Sequence, residues 1–475
     1  MRIGSDSPFL QRMDRFLYSP AYFLLMGGLT ILSNVFGLER FVYPAYILIG
    51  IYICLFSRDL LPIFPIFACG YISPSVGNNP GVNENSIFSM SGGFLYLIIL
   101  FALLAASLVY RLVTDPDFGG KKFLHKKRTL LPGMLVLGIC YAISGLASGQ
   151  WEIYGLRNLL FSFLQLVAVA GLYYLLSGAV RWDSAPKGYL FWTGMCVGYV
   201  LLAELVGIYI KANVIVDGII FRERIVTGWG HYNSMGALFA MVIPLPFFLT
   251  GKGKFASVYY LSAFLFSLGL LFTCSRGSIL VGFIVYAAAY ILSLFHSGNA
   301  RRQIPVHIFT VAVPVAILTL FYDELAQLFK ELWDAGLKSQ ERITIYIEGF
   351  RQFVKFPVFG GSFFPVDYWP YAWSTSEDFL ALYPPRWHNT LVQLLATGGV
   401  ALLAGYVLHR VQTVKLFVKD FNTGKLFAGL SVLALLLTSL VDCHFFNVGP
   451  VLFYSALLAF VEHQTYQRHL KIPKP

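Results

Sequence analysis

The chain has 475 residues, of which 57% are hydrophobic and only 12% charged, and its mean hydropathy is +0.68. A soluble domain carries roughly a quarter of its residues as charges, so this balance excludes an ordinary soluble protein and predicts a polytopic membrane protein. The formal net charge of +11 reads as topology and contact with anionic lipid. No basic segment is joined to a nucleic-acid-binding module, which argues against a nucleic-acid partner.

Met1 to Pro20 is polar, with Arg2, Arg12 and Arg15, and no small-residue cleavage pattern follows the first apolar run, so that run is expected to stay as an anchor. A bilayer-spanning helix needs about 20 mostly apolar residues. Such runs lie at 21–37, 41–57, 60–75, 92–111, 130–148, 155–178, 189–211, 233–250, 256–273, 277–296, 305–322, 389–408, 425–444 and 447–465. The 60–75 run is short and holds Pro62 and Pro65, which suits a re-entrant segment. The prediction is an all-α polytopic membrane protein with roughly twelve to fourteen transmembrane helices. Lysine and arginine set the orientation. Lys121, Lys122, Lys126, Lys127, Arg128, Lys252, Lys254, Arg301, Arg302, Arg410, Lys415, Lys419, Arg468, Lys471 and Lys474 fall on one side of the alternation, which predicts that both termini are cytoplasmic.

The chain then divides into an N-terminal transmembrane bundle (1–322), a large outward-facing loop (323–388), and C-terminal transmembrane helices with a short cytoplasmic tail (389–475). A loop that long is usually functional or disordered. Ile343, Ile347, Phe350 and Val354 recur at helical spacing, with Glu341, Glu348, Gln352 and Lys355 opposite, and Pro357 with Gly360-Gly361 closes the run. This predicts an amphipathic helix lying on the outer leaflet. Farther on, Tyr368, Trp369, Tyr371, Trp373 and Trp387 crowd together, as a membrane belt or as rings that stack on sugars. Cys54, Cys69, Cys140, Cys196, Cys274 and Cys443 mostly lie inside apolar runs and form no C-x-x-C, so small buried hydrophobes are the expected role; only Cys274 and Cys443, both near the outer face, offer a pairing as the alternative.

Candidate chemistry gathers on the outer side. Arg276 lies in the turn Thr273-Cys274-Ser275-Arg276-Gly277, Arg342 opens the amphipathic helix, and Arg222 and Arg224 lie in the loop 212–232, ahead of Asn233 at the next helix start. A guanidinium keeps its charge and presents a planar fork matched to phosphate oxygens, so converging arginines suit a pyrophosphate. The bland alternative is snorkelling to headgroups or pairing with Glu223 or Glu341. Glu204 is an acid well inside a span, with an outer arginine as its simplest partner. His388 sits where the long loop re-enters the bilayer, before Asn389, a good helix N-cap. A histidine there serves as a cap, a headgroup ligand or a general base at neutral pH.

Arg342 at the start of an amphipathic helix, Phe356-Pro357-Val358-Phe359-Gly360-Gly361, His388-Asn389 with Leu391, Leu395 and Gly399, and Ser275-Arg276-Gly277 with Arg224 to Asn233 upstream form one pattern. Over roughly residues 220–410 it resembles the bacterial O-antigen ligase and O-antigen polymerase family. The resemblance implies a GT-C-like glycosyltransferase of the inner membrane, with its active site facing outward, that takes a glycan from undecaprenyl diphosphate. It implies His388 as the base on an acceptor hydroxyl and Arg276 and Arg342 on the donor diphosphate, with Arg224 assisting. Asn389, Glu204, Arg222, Asn233 and Tyr346 are supporting candidates. No metal and no cofactor are expected; adjacent Glu377 and Asp378 are too few oxygens for a hard cation. The partners implied are the lipid-linked glycan, an acceptor glycolipid or a second lipid-linked glycan, and membrane lipids. A transporter or flippase of lipid-linked oligosaccharides is the rival, and would call for internal repeats and ionisable groups near the midplane.

Overall fold

The computed structural model describes residues 7–36, 38–70, 93–115, 128–178, 180, 188–216, 219–227, 230–252, 255–296, 300–320, 322, 326, 340–363 and 387–471. The elements in chain order are α1 (Pro8–Leu17), α2 (Pro20–Phe36), α3 (Glu39–Phe56), α4 (Ile63–Gly70), α5 (Gly93–Thr114), α6 (Leu131–Ala142), α7 (Gln150–Gly178), α8 (Tyr189–Lys211), α9 (Tyr232–Val242), α10 (Pro244–Leu249), α11 (Ala256–Phe272), α12 (Arg276–His296), α13 (Ala300–Leu320), α14 (Gln340–Lys355), α15 (Thr390–Val418), α16 (Thr423–Thr438) and α17 (Val448–Lys471). Strand is confined, among the described residues, to two small antiparallel ladders between α8 and α9, pairing Val216 with Ile219 and Thr227 with Gly230.

The molecule is an all-α polytopic membrane protein. A helix satisfies its backbone groups internally, which is why apolar runs in a bilayer fold this way. Among the described residues, Gln150–Gly178, Tyr189–Lys211, Tyr232–Leu249, Arg276–Phe295 and Thr390–Val418 are long and apolar enough to cross a membrane, and α1 with α2, bent by 67°, would add another as one broken span. Shorter apolar helices occupy most of the remaining runs. The Tyr232–Leu249 segment is 89% buried and forms the centre, with α8, α11, α12 and α16 packed around it.

Several expected boundaries shift. The run 425–444 ends as helix at Thr438, and 439–447 forms a turn with a short 3-10 helix at His444–Phe446. The run 389–408 continues to Val418, and one expected topology residue on the added turns, Arg410, faces the interior. The Arg410 guanidinium lies 4.5 Å from the ring centres of Tyr406 and Phe445 and donates to the Tyr454 hydroxyl at 2.8 Å. Aromatic faces stabilise a cation that burial has stripped of water. The Glu204 carboxylate accepts from the Asn34 amide on α2. Glu462 is another buried acid, accepting from Thr129 and from the Tyr173 hydroxyl.

The glycine motifs are explained by a break in α15. Gly399 has φ 62° and ψ −158°, so the helix is interrupted there, and helix breaks leave backbone groups that must be paired elsewhere. The segment after α14 pairs them. Gly361 N–H donates to the Ala396 carbonyl at 2.8 Å and Ser362 N–H to Thr397, while Val400 N–H donates to Pro357 at 2.9 Å and Ala401 N–H to Val358. Both strands of this junction need glycine. A Cβ on Gly399 would lie 2.5 Å from the Pro357 carbonyl oxygen, and one on Gly360, at φ 67°, would lie 2.2 Å from the Thr397 carbonyl carbon.

Gly360→Ala is therefore expected to destabilise strongly. Left-handed backbone alone costs a non-glycine residue roughly 1–3 kcal/mol, and the collision adds to that. Gly28, whose Cβ would meet nothing within 4 Å, supplies the control, because alanine is the better helix former there. Thermal unfolding in detergent should show Gly360→Ala melting at least about 5 °C below wild type and Gly28→Ala unchanged or higher. Equal melting of the two variants would refute this account of the motif.

Candidate active site at one end of the bundle

The residues singled out in the sequence sit mostly at helix ends. Arg276 is the first residue of α12, Asn233 the second of α9, Arg342 the third of α14, and His388 precedes the cap of α15. Helix starts carry unpaired N–H groups and the positive end of the macrodipole, so their grouping favours an anionic ligand. Arg276 lies within electrostatic reach of Arg222 and Arg342, and near the phenol of Tyr232. The Arg222 guanidinium stands 5.1 Å from the Tyr232 ring centre and pairs with the exposed Glu223 at 3.0 Å.

Arg224 is turned elsewhere. It donates to the Asn213 carbonyl at 2.5 Å and rests over the Phe221 ring. Both residues occupy one 3-10 turn, Arg222–Arg224, in which two residues of spacing amount to about two-thirds of a revolution. Arg222, rather than Arg224, thereby joins Arg276 and Arg342.

His388 is held in an unusual conformation. Its φ is 50°, a left-handed geometry that costs a β-carbon residue energy and persists when the surroundings fix it. Two contacts do so. The Tyr346 hydroxyl donates to the His388 carbonyl at 3.1 Å, and Asn389 caps α15 by accepting from Leu391 and Val392 while donating to the Leu440 carbonyl at 2.7 Å. Burial raises the Tyr346 phenol above its ordinary pKa and the nearby Arg342 partly offsets that, so the hydroxyl keeps its proton and remains a donor.

Helix α14 reaches this position on a closely packed face. Gly349 lies against Trp387 and Val392, where a Cβ would come within 2.5 Å of a Val392 methyl. Trp387 is 1% exposed and belongs to this small core with Ile345, Tyr346 and Ala396, so it serves neither as a belt residue nor as a free sugar-stacking ring. The opposite stripe, Ile343, Ile347, Phe350 and Val354, is exposed as expected for a helix against lipid. Gln352 departs from the expected polar face, being buried beside Gly361. Tyr368, Trp369, Tyr371, Trp373, Glu377 and Asp378 lie outside the described residues.

One functional candidate was not singled out from the sequence. Asp442, 2% exposed, places Oδ1 3.5 Å from His388 Nδ1. The two atoms stand at ion-pair distance without a hydrogen bond between them; a carboxylate on that side favours the tautomer with the proton on Nδ1 and the lone pair on Nε2. Asp442 Oδ1 also accepts from the Cys443 N–H at 2.7 Å, and Oδ2 accepts from the Asn233 amide at 2.9 Å. The available signal was a carboxylate ending an apolar run, in Val441-Asp442-Cys443-His444. Cys274 and Cys443 are both free thiols, Cys443 lying against Gln393, so the alternative of a disulfide between them is not formed.

The arrangement is a polar end on a polytopic helical bundle, where Tyr232 lies within electrostatic reach of Arg222, Arg342 and Asp442, and Asp442 faces His388. A family model described as O-antigen ligase matches residues 261–407, a stretch that contains Arg276, Arg342, His388 and both glycine motifs. The match supports the O-antigen ligase and polymerase family, and with it a membrane protein that processes envelope glycans. No curated protein matches the chain.

Proposed function

We propose that the protein is a glycosyltransferase of the bacterial inner membrane that moves a glycan from undecaprenyl diphosphate to an acceptor hydroxyl at the outer face, with both termini cytoplasmic. The observation that carries this reading is that Tyr232 lies within electrostatic reach of Arg222, Arg342 and Asp442, the carboxylate that faces His388, while Arg276 feels the same two arginines and the same phenol. The donor lipid lies between spans and its diphosphate meets the guanidiniums, which stabilise the leaving group by fixed charge. His388 Nε2 takes the proton of the acceptor hydroxyl as that oxygen attacks the anomeric carbon. The anomeric C–O bond breaks and undecaprenyl diphosphate leaves. Asp442 stabilises the imidazolium that forms. Attack opposite the leaving group inverts the anomeric centre.

The acceptor distinguishes a ligase, which uses a lipid A core, from a polymerase, which uses a second lipid-linked glycan. The test is transfer by purified protein in EDTA from an undecaprenyl diphosphate glycan, with lipid A core offered in one arm and donor alone in the other. Transfer with inverted configuration is expected, and the acceptor that gains sugar assigns the branch. A product of retained configuration would rule out the single displacement. Absence of transfer with either acceptor would favour a carrier of lipid-linked glycans instead.

A further inference from the structure

A continuous polar chain runs from the base to the turn that carries Arg276. His388 faces Asp442, whose Oδ2 accepts from Asn233 Nδ2 at 2.9 Å; Asn233 Oδ1 accepts from the Ser275 hydroxyl at 2.9 Å; and the Ser275 and Ser278 hydroxyls lie 3.0 Å apart. Ser275 is the residue before Arg276. The four residues from His388 to Ser275 come from four separate chain segments, and Asn233, Asp442 and Ser275 are all buried.

The packing around the chain leaves no slack. A Cβ on Gly236, one turn beyond Asn233 in α9, would lie 2.8 Å from Ser278 Cβ and 2.9 Å from Ser275 Cβ. A Cβ on Gly277 would lie 2.7 Å from a Val441 methyl. Two glycines thus let α9, the start of α12 and the turn after α16 touch at backbone distance, with the polar chain threaded through the contact. An amide suits its middle position because it offers a donor on one side and an acceptor on the other. The carboxylate requires the donor and the serine hydroxyl requires the acceptor, which fixes the amide's orientation.

We infer that Asn233 and Ser275 are positioning residues, which lock the base pair His388–Asp442 to the Arg276 turn so that proton removal and leaving-group stabilisation act on one bound substrate. Asn233 holds Asp442 Oδ2 and so commits the carboxylate to the orientation in which Oδ1 faces His388 and accepts from the Cys443 N–H. Ser275 ties that commitment to the backbone from which Arg276 projects. The inference rests on the transferase reading. It adds that the spacing between base and arginine turn is set by an uncharged residue touching neither substrate.

A misplaced catalytic group lowers the rate of the bound complex more than it weakens binding. Asn233→Ala is expected to lower kcat at least about tenfold, and Ser275→Ala about threefold or more, with KM for donor and acceptor within about threefold of wild type. Ser234→Ala is the control for a merely structural effect. That variant removes a buried hydrogen bond from Asn447 at 2.9 Å, one residue along the same helix, and is expected to keep wild-type kcat. In single-turnover assays with labelled donor, Asn233→Ala and Ser275→Ala should each cost less than about twofold once Asp442→Asn is present, since residues acting through one partner are not additive.

The outcomes separate. If wild type transfers no glycan, or His388→Ala retains full turnover, the transferase reading fails and the inference with it. If wild type transfers and His388→Ala does not, then wild-type kcat in folded Ser275→Ala, or equal losses with and without Asp442→Asn, would overturn the positioning role alone. Ser275→Ala removes only a hydroxyl and keeps the question open to decision if Asn233→Ala does not fold.

Discussion

Purified His388→Ala is expected to transfer glycan with kcat lower by about 10²- to 10⁴-fold, the range for loss of a positioned general base, while KM for the donor changes little. The asymmetry follows from the placement of His388. Its side chain is about one-third exposed, and Nδ1 faces Asp442 while the backbone is fixed by Tyr346 and Asn389. Such a group contributes to proton removal in the transition state and little to holding the diphosphate, so its loss appears in kcat. The left-handed backbone sharpens the prediction. Truncation to alanine leaves the same strained geometry, at φ 50°, so the variant should fold as wild type does. A His388→Ala protein with normal melting and wild-type kcat would remove the proposed base.

The second large effect is expected at the guanidiniums. Arg276→Ala and Arg342→Ala should each lower kcat/KM by about 10²- to 10³-fold, the scale for deleting one fixed donor from a site where charge develops. Here both binding and turnover should suffer, because the diphosphate is charged before and during departure. Arg276→Lys should recover only part of the loss, since an ammonium keeps the charge but not the two-pronged fork. Arg222 and Arg224 provide an internal comparison. Arg222 shares the electrostatic environment of Arg276, whereas Arg224 is bound to the Asn213 carbonyl and the Phe221 ring. Arg222→Ala should cost more than Arg224→Ala in transfer assays at fixed donor concentration. The reverse ranking would return Arg224 to the diphosphate and count against the geometry proposed for this loop.

Much of the architecture was legible because membrane helices are defined by local composition. The runs beginning at 189, 256 and 277 correspond to helices starting at Tyr189, Ala256 and Arg276, since a backbone in lipid must satisfy itself within the segment. The stripe Ile343, Ile347, Phe350 and Val354 was equally plain, as it needs only the helical repeat. Asn389 as a cap followed from the chemistry of a single side chain and is seen as such. His388, Arg276 and Arg342 stood out as polar groups at the margins of apolar runs, in motifs carried by resemblance.

What the sequence by itself determined is therefore the membrane class, the helices and the residue types available for chemistry at their ends. Tertiary structure alone decided which of those residues meet. Asp442 faces His388 across more than fifty positions of chain, and Asn233 joins Asp442 to Ser275 from a third segment; no local pattern encodes such a contact. Arg222 and Arg224 are indistinguishable by composition, and one short turn separates their directions. Gly360-Gly361 was visible as the end of a helix, but only the folded chain shows that Gly399 interrupts α15 and that the loop after α14 supplies the hydrogen bonds that the interrupted helix lacks. Local structure follows from backbone and side-chain physics within a few residues, whereas a site is made of contacts between distant segments, which only the packing of the whole chain brings together.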